Sequence, residues 1–455
     1  MNEVVLNELP DNWEWVKLGD VVTKIIGGGT PSKNKPQYWE GDIPWLTVKD
    51  MRSRRPADAM DHIGEKAVEE SSTNIIPEDT VIIATRIGLG KVIRVPYKAA
   101  INQDLKALVV PPEIDKGYLE YWFVSKTQYL ESIGSGTTVK GIRLEQVRDL
   151  DFPFAPPEQQ KRIVAKIEEL FSHIDAGIEA LKKAKQLIKQ YRQSVLKAAV
   201  TGELTNKWRE ENSRSHASDW LEHIAGLRER LVADGIIAKQ KKTTVIDEDD
   251  LPYQIPESWK WMRLDDFVLA SVDCPHSTPK YKEHGKKCVR TADFLPGRLV
   301  MDNVRYVTPE AFDERNKRLI PQSDDVLYSR EGGILGVACM IPEGEEVCLG
   351  QRMVIFRTES KLASIYLMHN LNSPLIVQRV KSLTGGSASP HLNVGEIRNF
   401  LLPIPPKQEC EALLLTLEEK LSSIERIEHE IDMQLVKSEK NKQSVLSSAF
   451  IGKLN

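Results

Sequence analysis

The phrase QSVLKAAVTGEL at residues 193–204 returns almost unchanged as QSVLSSAFIGKL at residues 443–454, an offset of 250 residues. Working outward from this phrase, three further pairs of segments match in the same order: VRDLDF (147–152) with IRNFLL (397–402), APPEQQ (155–160) with IPPKQE (404–409), and LPDNWEWVKLGDV (9–21) with IPESWKWMRLDDF (255–267). Four colinear matches predict a chain made of two copies of one module. Each copy has a P-x-x-W-x-W motif, which we call the Trp motif, then a globular stretch, a proline-rich stop and a long helix.

Composition limits what the chain can be. Of its 455 residues 41% are hydrophobic and 28% charged, as in ordinary globular proteins, and the formal net charge is −4. No apolar run approaches the roughly 20 residues of a membrane helix, and the N-terminus lacks a secretory signal. Five cysteines without a CxxC pair argue against a disulfide framework or a structural zinc site and favour small core residues in a reducing cytoplasm. Because the net charge is slightly negative, any surface that binds nucleic acid must be a local basic patch.

A long helix is predicted after each proline pair, because proline is tolerated at a helix start and not inside it. Apolar residues then recur at heptad positions a and d, which is typical of a coiled coil. We expect the two helices to pair antiparallel about a pseudo-twofold axis; the alternative is that each helix caps its own domain. The predicted seam consists of Ile163, Ile167, Leu170, Ile174, Leu181, Ile188, Leu413, Leu417, Ile424, Ile427 and Ile431.

Between Trp motif and proline stop, each half alternates short strand-like runs with turns and ends in a helical stretch, which predicts an α+β domain. The expected divisions are a globular domain (1–150), a helical spacer (151–204), a short helix and charged linker (205–250), a second globular domain (251–398) and a second helical spacer (399–455). The glycine-rich runs at 27–39 and 85–91 lack P-loop and dinucleotide-binding spacing, so we interpret them as turns. No nucleophile elbow, HExxH, paired-carboxylate or adenine-methyltransferase motif is present.

Basic residues cluster in loops of both globular stretches. Such loops, with glycine and hydroxyl residues beside them, suit contacts with phosphate and base edges of DNA. Any single member is more often ordinary surface, so the recurrence of the cluster carries the prediction. The candidate DNA-binding residues are Lys33, Lys35, Arg52, Arg54, Arg55, Arg86, Lys140 and Arg143 in the first half, and Lys280, Lys282, Arg290, Arg330, Arg352 and His391 in the second.

The segments GGGTPSKNKPQYWEGDIPWLTVKDM, SGTTVKGIRLEQVRDLDFPFAPPEQQKRIV and SVLKAAVTGEL together resemble the specificity subunit of type I restriction–modification systems, over essentially the whole chain. The resemblance implies two target recognition domains, each reading half of an asymmetric bipartite DNA site, and two antiparallel helices that set the gap between the halves. It also implies two modification subunits, which bind S-adenosylmethionine and methylate adenine, and two restriction subunits, which use ATP and magnesium. The chain itself is expected to be non-catalytic and to bind no cofactor.

The second copy departs from this pattern. CPHSTPKYKEHGKK (274–287) replaces the GGGTPSK…YW run, and IPPKQECEALL (404–414) replaces PPEQQ…RIV. The departure predicts that the two domains read different sequences. Two other classes remain open from the residues alone: an autonomous methyltransferase or nuclease, which purified chain would reveal by its activity, and a coiled-coil scaffold without sequence specificity, which would give no bipartite footprint.

Overall fold

The computed structural model describes residues 8–135, 141–212, 216–385 and 390–454. Contacts within the chain divide it into two compact units. Unit 1 comprises Met1–Lys183 and Ile431–Asn455, and unit 2 comprises Ala184–Glu430. Each unit holds one α+β domain together with a part of each of the two long helices. A unit therefore combines residues from both sequence copies.

The α+β domain of unit 1 is built from short elements. Its strands are β1 (Glu14–Lys17), β2 (Lys24–Gly27), β3 (Ile43–Leu46), β4 (Asp61–Ile63), β5 (Ile75–Ile76), β6 (Val81–Ala84), β7 (Val92–Arg94), β8 (Ala99–Ile101), β9 (Leu105–Val109) and β10 (Asp151–Phe154). Its helices are α1 (Leu18–Val21), α2 (Glu65–Glu69), α3 (Lys116–Ser125), α4 (Thr127–Ile133) and α5 (Leu144–Arg148), followed by the long α6 (Pro157–Val200).

Two four-stranded sheets form the body of this domain. The order β2-β9-β6-β7 is antiparallel throughout, whereas β4-β3-β8-β5 contains the parallel pair β3 and β8. Strand β6 is a β-branched run, buried at every position, which suits a strand covered on both faces. The core between the sheets is made by Leu46, Ile82, Ile93 and Ile101, among others.

The chain then passes through α7 (Asn206–Glu211) and α8 (Ala217–Ala233) into the domain of unit 2. Its strands are β11 (Lys260–Arg263), β12 (Ala270–Asp273), β13 (Lys286–Val289), β14 (Phe294–Leu295), β15 (Arg298–Leu299), β16 (Arg305–Val307), β17 (Val326–Ser329), β18 (Ala338–Met340), β19 (Val347–Leu349), β20 (Met353–Arg357) and β21 (Leu401–Ile404). Its helices are α9 (Leu264–Phe267), α10 (Pro309–Asn316), α11 (Lys361–Leu371), α12 (Pro374–Thr384), α13 (Val394–Arg398) and the long α14 (Lys407–Ala449).

The sheets of unit 2 repeat the plan of unit 1. The antiparallel sheet β12-β20-β17-β18 corresponds to β2-β9-β6-β7, and the sheet β16-β13-β19 contains a parallel pair, β13 and β19. All five cysteines are buried and unpaired, which confirms that they are core residues. The charged linker after α8 contacts the domain: Thr243 and Thr244 bond the side chains of Asp266 and Asn399.

The Trp motif starts each domain in the same way. Trp15 in β1 is the register partner of Pro153 in β10, and Trp261 in β11 is the partner of Pro403 in β21. The two-stranded ribbon therefore joins the beginning of each domain to the strand that leads into a long helix.

The glycine of the repeated phrase ends each long helix against the proline of a Trp motif. In unit 1, Gly452 has φ +72° and a Cβ there would lie 2.2 Å from Cγ of Pro10. In unit 2, Gly202 has φ +80° and a Cβ would lie 2.7 Å from Cγ of Pro256. Positive φ and this close approach both require glycine. The second phrase thus belongs to the first domain, and the first phrase to the second domain.

Burial along the predicted seam is uneven and does not separate the a positions from the d positions. Ile167 and Ile424 are buried at 0% and 1% exposure, but Ile427, predicted three residues after Ile424, is 43% exposed. The inward residue lies four positions on, and it is Phe171 in α6, while the predicted Leu170 is half-buried. Isoleucines seven residues apart can be followed by an inward residue either three or four positions later. The packing partners of the helix decide which of the two is buried.

Those partners are identifiable within each unit. Phe171 packs edge-on against Tyr121 with ring centroids 5.7 Å apart in unit 1. In unit 2 Glu428, four residues after Ile424, accepts from Arg192 Nη2 at 2.8 Å. Contacts between α6 and α14 run antiparallel inside unit 2, because Arg192 lies by Glu428 while Val195 and Leu196 pack in the cluster that contains Leu413 and Leu417. The remaining predicted seam residues are buried (Ile163, Leu413, Leu417, Ile431) or half-buried (Ile174, Leu181, Ile188).

Candidate nucleic-acid interface

In unit 1 the candidate surface lies where the parallel strands β3 and β8 end. The N–H of Asn102, just after β8, donates to the carbonyl of Leu46, the last residue of β3, at 3.0 Å. Loops that follow parallel strands meet at the same sheet edge, where ligands of such sheets bind. A cleft of about 610 Å³ opens there, lined by Thr30, Lys33, Trp39, Trp45, Thr47, Val48, Lys49, Asp61, Ile87, Asn102, Gln103 and Asp104.

The glycine-rich run at 27–39 is a packed turn at this cleft. A Cβ on Gly28 would lie 2.0 Å from the carbonyl oxygen of Ile101, so the backbone can approach the end of β8 only as glycine. Trp45 Nε1 donates to the carbonyl of Gly29 at 3.1 Å, and Trp39 packs edge-on against Trp45 at 5.0 Å. The turn therefore forms one rigid wall of the cleft.

Three predicted cations of unit 1 lie at or beside the cleft. Lys33 lines it, and exposed Arg86 sits in a neighbouring loop with its Nη1 3.6 Å from Asp104. Lys35 lies on the adjacent surface, where a hydrogen bond with the Tyr38 hydroxyl raises its pKa. Arg143 is exposed just after the backbone bridge between Arg86 and Gly141. Lys140 lies outside the described residues.

The arginine cluster at 52–55 divides into two kinds. Glu120 on α3 is fully buried, and Arg55 donates to it at 2.5 Å, while Arg54 lies 4.0 Å from it and stacks on Tyr121 at 4.6 Å. Removing either arginine would leave the buried carboxylate with less compensation, so both hold the loop to the domain. Arg52 is exposed and remains a candidate for DNA contact.

In unit 2 the equivalent edge lies after β13 and β19. The N–H of Gly350 donates to the carbonyl of Val289 at 2.8 Å, as Asn102 does to Leu46 in unit 1. The loops that meet there carry exposed Lys280, Lys282 and His391. A backbone bridge joins Glu331 to His391, which brings the loop before α13 to the same edge.

The predicted arginines of unit 2 are partly neutralised. Arg330 is 7% exposed and bonds Asp273 at 3.0 Å and Glu331 at 2.6 Å. Arg290 donates to Asp293 at 2.8 Å. Arg352 is 53% exposed, lies 3.7 Å from Glu331 and has φ +70°. A non-glycine residue in this left-handed region is uncommon and costs free energy, a pattern frequent at functional sites.

Two polar pairs at these edges were absent from the sequence prediction. The Thr30 hydroxyl donates to Gln103 Oε1 in unit 1, and Gln351 Nε2 donates to Thr278 Oγ1 at 2.8 Å in unit 2. The threonines of the two pairs are 248 residues apart, and so are the glutamines, since 278 − 30 and 351 − 103 are equal. The recurring Thr-Pro dipeptides at 30–31 and 278–279 could have indicated the threonines. No sequence motif marks the glutamines, so the pairs could not be predicted from the sequence.

Among the described residues, no group of His, Cys, Asp or Glu is placed to hold a metal ion. Nor is any helix within the described ranges long and apolar enough to cross a membrane. Cationic, amide and hydroxyl side chains lie at both edges, beside a few acids. Such groups suit the recognition of a polyanion with readable edges.

Comparisons with known proteins agree with this geometry. The chain is 24% identical over 431 residues to the type I restriction enzyme MjaIX specificity subunit of Methanocaldococcus jannaschii, covering 92% of this chain and 90% of that protein. It is 23% identical to the EcoBI specificity subunit of Escherichia coli, covering 99% and 88%. The crystal structure of the HsdS subunit from Thermoanaerobacter tengcongensis shares its fold over 100% of both chains, with TM-score 0.57 and 18% identity. Residues 10–189 and 256–433 both match the type I restriction modification DNA specificity domain, and the chain belongs to that family.

Proposed function

We propose that this chain is the non-catalytic DNA-recognition subunit of a type I restriction–modification complex, in which each α+β domain reads one half of an asymmetric bipartite site. The observation that carries the proposal is the doubled edge. The same parallel strand ends occur in both units, yet Asp104 follows Gln103 in one and Arg352 follows Gln351 in the other. Equal frameworks with different side chains suit two different half-sites.

The proposed domains are 1–150 and 251–398, with 151–204 and 399–455 as helical spacers. The helices would fix the gap between half-sites, since an α-helix rises about 1.5 Å per residue. Two domains on one stiff support also raise the effective concentration at the second half-site. The charge of −4 is compatible with this role because partner subunits can supply further phosphate contacts.

The partners in this proposal are two modification subunits and two restriction subunits, with double-stranded DNA as the ligand. S-adenosylmethionine would bind to the modification subunits, and ATP and magnesium to the restriction subunits, in the cytoplasm. The modification subunits would dock on the helical spacers and methylate an adenine in each half-site.

The test is a genome-wide map of N6-methyladenine in cells with the gene, without it, and with the gene restored. We expect one split motif with a fixed gap to lose methylation on deletion and regain it on restoration. Purified complex should protect the same two DNA patches in a footprint. An unchanged map together with a footprint lacking two discrete patches would contradict the proposal and favour a scaffold.

A further inference from the structure

Among the described residues, a Thr–Gln hydrogen bond occurs at both edges, with its direction reversed between the units: Thr30 donates to Gln103 Oε1, and Gln351 Nε2 donates to Thr278 Oγ1. Around it the side chains differ: Gly28 and Gly29 of the preceding loop correspond to Cys274 and Pro275 in the other copy, and Asp104 after the glutamine corresponds to Arg352. A feature kept in two domains that differ elsewhere should contact something that both half-sites share.

The backbone places each glutamine identically. Each is the second residue after a strand of a parallel pair, behind an N–H that is anchored on the neighbouring strand. The carbonyl of the next residue then accepts from the arginine-bearing loop: Asp104 accepts from the N–H of Thr85, and Arg352 accepts from the N–H of Arg330, both at 2.9 Å. Gln103 is exposed at the cleft and Gln351 is half-buried.

The two units bring the threonine loop to the strand end by different means. In unit 1, Gly29 N–H donates directly to the carbonyl of Ile101 at 3.0 Å. In unit 2, Arg315 is 9% exposed and its guanidinium donates to the carbonyls of Leu349 at 2.5 Å and Gly350 at 2.6 Å. The same guanidinium reaches the carbonyl of Ser277 at 3.1 Å, one residue before the threonine. Different supports for one pair indicate that the pair itself is required.

The chemistry of the pair selects its ligand. A carboxamide has a donor and an acceptor on one plane, which matches N7 and N6–H of adenine in the major groove. The bond to threonine orients each amide. In unit 1 it uses one lone pair of the Gln103 oxygen and leaves both hydrogens of the nitrogen; in unit 2 it uses one hydrogen of the Gln351 nitrogen and leaves both lone pairs of the oxygen. Each amide therefore keeps a donor and an acceptor. An uncharged amide adds little to phosphate attraction, which comes from lysine and arginine.

We propose that Gln103 and Gln351 each contact the major-groove edge of an adenine in the half-site read by its own domain, with Thr30 and Thr278 as positioning residues. This inference rests on the proposed function. It assigns one residue of each domain to an adenine that both otherwise different half-sites contain.

The experiment uses the complex with its modification subunits and a duplex carrying the mapped motif. Each adenine of the motif is replaced singly by 7-deazaadenine, which removes N7, and dissociation constants are measured for wild type, Gln103→Met and Gln351→Met. Methionine keeps the length of the side chain without the amide. Intact assembly and an unchanged unfolding midpoint are required of each variant.

We expect Gln103→Met to weaken binding about 10- to 100-fold, as for loss of one bidentate base contact. One 7-deazaadenine in one half-site should then cost this variant nothing further, although it weakens wild type. Gln351→Met should show the same insensitivity in the other half-site only. Thr30→Val and Thr278→Val should weaken binding less, and Thr→Ser at each position should restore it.

Three results would overturn the inference: unchanged affinity of both glutamine variants, equal weakening on every DNA sequence, or undiminished sensitivity of the variants to every 7-deazaadenine. In these cases wild type still prefers the split motif. Failure of the proposed function looks different, because wild type itself would then show no preference for any split motif.

Discussion

The most informative perturbation is Arg209→Met, which removes the cation from a buried carboxylate. Glu409 on α14 is 0% exposed, and its Oε1 accepts from Arg209 and from the Thr205 hydroxyl, the latter at 2.6 Å. Arg209 also donates to the carbonyl of Gly202 at 2.7 Å, which ties α7 to the end of α6. Methionine has similar length and no charge, so the variant isolates the loss of the ion pair.

The expected cost follows from the burial. Removing one partner of a buried ion pair leaves an uncompensated charge, at a cost of about 3–5 kcal/mol. For a domain of 150–250 residues this corresponds to a fall of about 6–20 °C in the unfolding midpoint. The assay is scanning calorimetry of the full chain, following the transition of unit 2. Lys207→Met, an exposed cation on the same helix, is the matched control and should change stability by about 0.5 kcal/mol or less.

In unit 1 an uncharged amide occupies the position equivalent to Glu409, which indicates how the stability lost in Arg209→Met should be regained. The N–H of Gln160 bonds the carbonyl of Pro156, and Cys410 bonds Pro406 in the same way, so Gln159 is the structural equivalent of Glu409. The structure thus shifts the sequence match of 155–160 with 404–409 by one residue. Trp13 Nε1 donates to Gln159 at 2.6 Å.

The corresponding Trp259 Nε1 is buried and has no hydrogen-bond partner in the described part of the chain, and the same holds for Glu409 Oε2. The double variant Arg209→Met/Glu409→Gln should therefore regain most of the lost stability. A loss under 1 kcal/mol in the single variant, or no recovery in the double, would refute the reasoning.

Three further predictions concern the helices and the second domain. Ile424→Ala should cost about 2–5 kcal/mol and Ile427→Ala about 0.5 kcal/mol or less in urea unfolding, because only the first side chain is buried; equal costs would contradict this difference in burial. Leu181→Pro should break α6 at a cost of about 3 kcal/mol or more and abolish assembly, so an intact complex on a sizing column would contradict it. Burial lowers the pKa of His369 to about 4. Between about pH 6.5 and 4 the unfolded chain should bind a proton that the folded domain does not. The free energy of unfolding should therefore fall by about 1.4 kcal/mol for each unit by which the pH is lowered in this range. The urea midpoint of His369→Asn should lack that slope; an identical pH profile would contradict the assignment.

Local patterns predicted the elements well because their causes are local. The strand-like runs at 80–85 and 105–110 became β6 and β9, and both proline pairs precede a long helix. The α+β class and the duplicated plan are confirmed, since periodicity and proline placement need no knowledge of distant contacts. The individual DNA-binding residues stay predictions; Arg54 and Arg55 also compensate the buried Glu120.

The sites were harder to predict because they are assembled from loops far apart in the chain. Thr30 and Gln103 are 73 residues apart, as are Thr278 and Gln351, and each pair meets only when two parallel strands end side by side. The helix seam shows the same limit at close range. A seven-residue spacing cannot choose between Leu170 and Phe171, and the edge-on contact with Tyr121 does so.

The sequence by itself determined that the chain is a duplicated module with two α+β domains, two long helices and a glycine at each helix end. Only the tertiary structure decided which helix end belongs to which domain. Gly202 packs on Pro256, and Gly452 packs on Pro10, so each repeated phrase completes the domain of the other copy. The reason is that a phrase repeated twice fits either Trp motif equally well in sequence. Helix α6 begins in unit 1 and ends in unit 2, whereas α14 begins in unit 2 and ends in unit 1, so each glycine lies in the unit that holds the other copy's domain.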